Sequence, residues 1–152
     1  VLNRGGDNLL TQMALDMKAI LQKSYYAQKL LDADMDKRKE LRSLMEKVTP
    51  TLSDMPKSYR DHDKLGEFIV RLEALDSKIA EDIKKLTDLL TINRMLIDSV
   101  DRYEHRIILT KRYVNFEHWV DIAHDMHCGW NSVHRWHREA LEYLAKHGTQ
   151  WY

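Results

Sequence analysis

The residues best suited to chemistry sit close together near the C-terminus. Between Gly129 and Arg138 the chain carries two arginines, two histidines and no acid. If this stretch is a helix, Trp130, Asn131, His134, Arg135 and Arg138 project outward from it, with Ser132 beside them. Asn and Arg side chains read base edges in duplex DNA bidentately, adenine and guanine respectively. Arg138, with the upstream Lys111 and Arg112, has the charge to hold backbone phosphates. The expected ligand is therefore double-stranded DNA.

Other chemistries fit poorly. Seven of the eight histidines follow residue 100, and His124-x-x-His127-Cys128 with His134-x-x-His137 suggests zinc. Zinc needs four nitrogen or sulfur ligands in a tetrahedron. Here the two histidine pairs fall on opposite sides of a turn, Cys128 is the only cysteine, and His137 lies on a core-facing stripe. No metal and no other cofactor is expected. There is no phosphate-cradling glycine loop, no metal-protease histidine pair and no nucleophile elbow, so no catalytic residue is expected.

These side chains need a scaffold, and the spacing of apolar residues describes one. Trp119, Ile122, Ala123 and Met126 form the inner face of a short helix. Val133, Trp136, His137, Ala140, Leu141 and Leu144 form that of a longer one. Cys128 plugs the turn between them. An earlier helix over about 101–114 carries Tyr103, Ile107, Ile108 and Tyr113. Three helices with turns of about two to four residues make a helix-turn-helix unit over 101–147.

Upstream, Leu65, Leu72, Ile79, Leu86, Asn93 and Val100 recur at an interval of seven. Phe68, Leu75, Leu89 and Leu96 follow three later, with Asp82 the exception, and Ile69, Ile83, Leu90 and Ile97 widen the stripe. A sustained heptad marks helices packed knobs into holes. A helix from Leu65 to Val100 would span roughly 54 Å, too long to bury its stripe within a compact globule of this chain. A first helical segment, with Leu10, Met13, Met17, Ile20, Ala27, Leu31, Leu41, Met45 and Val48, can pack against it as an antiparallel hairpin. A second copy of the chain can do so too. Asp34 and Arg38 fall on that first stripe and interrupt it or rotate its face. Asn93 at a seam position hints at self-association, because such residues fix register and oligomer number. Pro50 and Pro56 place a loop at 49–63. The expected fold is all-α: a helical hairpin or coiled-coil stem over 7–100, then the helix-turn-helix unit.

Composition agrees. Lys plus Arg and Asp plus Glu number 24 each, so no net charge draws the chain to nucleic acid from a distance. With five glycines and two prolines among 152 residues, there are few tight turns for a sheet protein. Val1 to Gly6 are given no structural weight. No apolar run suits a membrane span or a signal segment, and one cysteine suits a reducing compartment, so a cytoplasmic protein is expected.

The segments Arg112-Tyr113-Val114-Asn115, Trp119-x-x-Ile122-Ala123, Met126 and Val133-His134-Arg135-x-His137-x-x-Ala140-Leu141 resemble a known family. They are similar to the C-terminal part of the phage and prophage ArpU/RinA-like transcription regulators of Gram-positive bacteria, which looks like region 4 of sigma factors. Met55-Pro56 and the helix containing Ile79-x-x-Asp82-Ile83-x-x-Leu86 extend the resemblance over about residues 12–145. It implies late-gene transcription regulation; the heptad stem and Asn93 point to a homodimer or larger homo-oligomer, and host RNA polymerase is a further candidate partner. The chain departs from the family at His118 and Gly129, where hydroxyl caps are usual, and at Phe116 and His127, where turn glycines are usual. Two other functions fit the same elements: a phage small terminase subunit, although the order of its parts is reversed here, and a protein-interaction module that does not bind DNA.

Overall fold

The computed structural model describes residues 10–53 and 59–148, and the side chains of 10–48 and 64–148. Among these residues there are five helices and no strand: α1 (Gln12–Ser53), α2 (Tyr59–Asp98), α3 (Tyr103–Tyr113), α4 (Trp119–Asp125) and α5 (Trp130–His147). The all-helical expectation holds, with two long helices followed by three short ones. No described helix is long and apolar enough to cross a membrane.

The expected loop at 49–63 is narrower than the prolines suggested. Helix continues through Pro50 to Ser53 and resumes at Tyr59. A proline removes its own N–H and crowds the carbonyl four residues back, but it does not stop the residues after it from completing a last turn. Met55 and Pro56 lie outside the described residues, as do Val1 to Gly6, Trp151 and Tyr152.

The chain divides into two compact units, residues 27–86 and the described parts of 1–26 with 87–152. In the first unit α1 and α2 lie antiparallel, since Asp34 pairs with Lys78 and Arg38 with Asp76. The heptad faces inward: Ile79 and Leu86 are buried, and Leu65, Phe68, Leu72 and Leu75 are half-buried. Ile69 and Ile83, expected to widen the stripe, are 43% and 47% exposed. On α1 the inward positions are Ala27, Leu31, Asp34, Arg38, Leu41, Met45 and Val48. The seam therefore neither stops nor rotates at Asp34; an ionic rung fills it. Asp34 is buried and bonds Lys78, with Lys37 at 3.3 Å, and Lys78 also lies 3.7 Å from Asp82, the exception in the α2 heptad. The hydrogen bond from Lys78 holds the Asp34 carboxyl below the usual carboxylate range, and Asp34 in turn holds the Lys78 ammonium above its ordinary value.

In the second unit, the start of α1 and the end of α2 share a core with α3 and α5. Ala14, Met17, Leu21, Leu96, Ile97, Val100, Leu109, Tyr113, Leu141 and Leu144 meet there. Met13, expected on this face, is 54% exposed; Ala14, Leu21 and Ser24 take the inward positions instead. Thr11 caps α1 by accepting the Ala14 N–H at 3.2 Å, and Glu142 of α5 accepts both the Thr11 N–H and hydroxyl, at 2.9 and 3.1 Å. Asn93 is 1% exposed, and its amide donates to the Leu21 carbonyl (3.0 Å), the Ser24 hydroxyl (2.8 Å) and the Tyr113 carbonyl (3.3 Å). Its partners are in its own chain, so its seam position no longer argues for a second copy.

Candidate nucleic-acid interface

Helices α3, α4 and α5 enclose a small core of Ile108, Ile122 and Val133, with Trp119, Ala123, Met126, Cys128 and Trp136 packed around it. The α4–α5 turn follows from local hydrogen bonding. Met126 N–H bonds Ile122 O (3.0 Å), His127 N–H bonds His124 O (3.1 Å), and Cys128 N–H bonds Ala123 O (3.2 Å). That is a Schellman ending, in which the residue after the C-cap takes left-handed backbone and the next one contacts the helix's last turn. His127 has φ +48°, and Cys128 packs beside Ala123 as the apolar plug. At the α3–α4 turn Phe116 has φ +59°. Among the described residues these are the only non-glycine residues with positive φ, and both stand where the resembled family carries glycine. His118 and Gly129, the N-caps of α4 and α5, make no side-chain capping bond.

The outer face of α5 carries the candidate contacts. Trp130 is 45% exposed, Asn131 is exposed, and the Arg135 side chain is 56% exposed. Asn131 and Arg135 are four apart and so share a face, one turn above the other. Ser132 and Arg138 are half-buried at its margins.

Three other expected contacts lie elsewhere. The His134 ring does not project outward: its centroid lies 4.9 Å from that of Trp119 and 4.4 Å from that of Trp130. Arg112 lies over the Trp119 ring at 4.9 Å and donates to the Glu117 carbonyl at 2.9 Å. Lys111 is gripped by Glu117 at 3.0 Å and Asp125 at 2.9 Å; hydrogen bonds to Asp125 and Glu117 raise its pKa, and the Lys111 ammonium lowers that of Asp125. Both of these cations tie α3 to the α4 region. Sequence spacing showed their charge and did not show that Glu117, five or six residues on, and Asp125, 14 residues from Lys111, take them up.

Histidine placement also became clear only in three dimensions. His137 is buried, with Nε2 2.7 Å from the Tyr113 hydroxyl, and His124 is exposed beside Asp125 at 3.8 Å. Among the described residues no group of three His, Cys, Asp or Glu side chains converges to hold a metal.

One cluster escaped the sequence reading. Glu139 Oε2 lies 3.4 Å from Arg102 Nη1 and 3.1 Å from His105 Nε2, and its Oε1 lies 3.9 Å from Arg135 Nε. The Arg135–Glu139 pair was legible as an i,i+4 spacing. Arg102 and His105 were not, since they reach Glu139 from α3 and its N-cap.

No curated protein and no solved structure matches the chain. A family model does, over residues 56–145, which takes in all of α2 and nearly all of the three-helix unit; its description is protein of unknown function (DUF1492). With more than half of its length matched, the chain belongs to DUF1492, a phage-associated family.

Proposed function

We propose that this protein binds duplex DNA with sequence preference and regulates transcription in a phage or prophage, in the manner implied by its resemblance to the ArpU/RinA-like regulators. One observation carries the reading. On the second helix of a helix–turn–helix, Asn131 and Arg135 stand exposed one turn apart on one face. Those two side chains pair bidentately with adenine and guanine in the major groove, which is wide enough to admit a helix. Trp130 offers an apolar surface to a sugar or a thymine methyl beside them, and Arg138 a charge toward the backbone. His134 supports Trp130 rather than reading a base. Lys111 and Arg112 hold the unit together and do not reach the DNA. A two-copy arrangement would present two α5 helices to successive major grooves, about 34 Å apart or a multiple of it.

Selection from random duplexes with the purified chain tests this. A convergent motif is expected. Arg135→Ala should cost roughly 1–3 kcal/mol on that motif and relax preference at one position. Lys111→Ala should lower the melting temperature and leave the selected motif unchanged. Failure to enrich any duplex, or unaltered affinity after Arg135→Ala, would overturn the reading.

A further inference from the structure

Arg102 is the N-cap of α3, in extended backbone (φ −80°, ψ 130°), with its side chain 54% exposed. Its guanidinium and that of Arg135 converge on the same carboxylate although they are 33 residues apart in the chain. Their distances to Glu139 are 3.4 and 3.9 Å, and Arg102 Nε lies 3.7 Å from Glu104. Tight charge-assisted bonds run about 2.7–2.9 Å. Both arginines are therefore loosely held, exposed and rich in unused N–H donors. Lys111, at 2.9 and 3.0 Å from its acids and with 22% of its side chain exposed, is the opposite case.

The geometry points to Arg102 as a DNA-backbone contact, coupled to Arg135 through Glu139; this rests on the duplex-DNA reading. Two guanidiniums that flank one carboxylate are closer together than the major groove is wide (about 12 Å). When Arg135 faces a base edge, Arg102 faces the phosphate strand that borders the groove. A phosphate oxygen competes with Glu139 for Arg102, because the existing contact is long and wet. Glu139 is a positioning residue. Its charge faces Arg135 from one turn further along α5, at 3.9 Å, and it is itself braced by the buried His105. The ligand chemistry is a phosphodiester, and the source is the strand of the duplex being read.

The test uses the full chain, a duplex carrying the selected motif and a scrambled duplex, each titrated across a salt series. Arg102→Ala should weaken both duplexes by the same factor and make the slope of log Kd against log salt shallower by about 1. Arg102→Lys should restore the slope. Glu139→Gln should reduce the ratio between the two duplexes, a readout that loss of a backbone contact does not move. If alanine lowers the melting temperature, Arg102→Gln replaces it, since it can still hydrogen-bond Glu139 without a charge. An unchanged slope in folded Arg102→Ala or Arg102→Gln, with wild type still selecting its motif, overturns this inference and leaves the DNA reading standing. Absence of salt-dependent duplex binding by wild type overturns both.

Discussion

At His127 the backbone is left-handed, with φ +48°, and the side chain is exposed. An L-residue pays about 1–2 kcal/mol there, a cost that glycine avoids. Glycine gives back part of that gain through the freedom it adds to the unfolded chain. His127→Gly should therefore stabilise the protein by about 1 kcal/mol, read as a higher urea midpoint with an unchanged m-value; a lower midpoint would mean the imidazole makes a contact worth more than the strain. Phe116 is a different case despite its similar φ of +59°. Its ring meets that of Tyr25 edge-on at 6.0 Å, and an aromatic pair contributes about 0.5–1.5 kcal/mol. The two effects are of similar size, so Phe116→Gly should change stability little. Substituting His118 with Asp supplies α4 with the cap it lacks and should add about 1 kcal/mol. These departures from the resembled family lie in the turns and caps and so bear on the stability of the unit.

Paired helices normally fill a seam with apolar side chains, yet in unit 27–86 this one contains Asp34. The carboxylate is tolerated because Lys78 and Lys37 reach it from the surface. The pair should make stability depend on pH at both ends. The folded pKa of Asp34 lies below its ordinary value of 3.8. Its stabilising effect is therefore present above that value and is lost as pH falls through the lower folded one. Lys78 is raised above 10.5, so its contribution is present below that and is lost as pH rises through the folded value. Melting temperatures of wild type and Asp34→Asn should thus differ most at neutral pH. The gap should narrow as pH falls below 3.8 and through the lower folded value; a gap that does not change with pH would show that the charge of Asp34 contributes nothing.

Across the molecule, Asn93 joins elements that are distant in sequence. It bonds α1 at Leu21 and Ser24 and the carbonyl of Tyr113 at the end of α3. Ser24 donates to that carbonyl as well, at 3.0 Å. Asn93→Leu would leave this buried group short of a donor, and the expected cost is about 1–3 kcal/mol. Because the partners are intramolecular, the solution mass by light scattering should equal that of wild type, whatever that mass is. A change of mass on this substitution would return Asn93 to the role its heptad position first suggested.

From sequence alone the helices could be placed, because hydrophobic periodicity reports which face of a helix is buried one residue at a time. The heptad from Leu65 to Val100 and the short helices around Ile108, Ile122 and Val133 were legible in this way, whereas the turn residues Phe116 and His127 stood out only against the resembled family. Periodicity carries no information on which polar group meets which. Lys111, Arg112 and Asn93 were read as open to DNA or to a second copy, although Lys111 and Arg112 bond Glu117 five or six residues on and Asn93 bonds groups 20 to 72 residues away. Asp34, placed on the seam, looked like a break in it because Lys78 lies 44 residues away. Only tertiary structure sets those pairings, since they depend on distances of 3 to 4 Å between elements that the chain order does not relate. The same folding left Asn131 and Arg135 facing outward and brought Arg102 to the carboxylate that Arg135 shares.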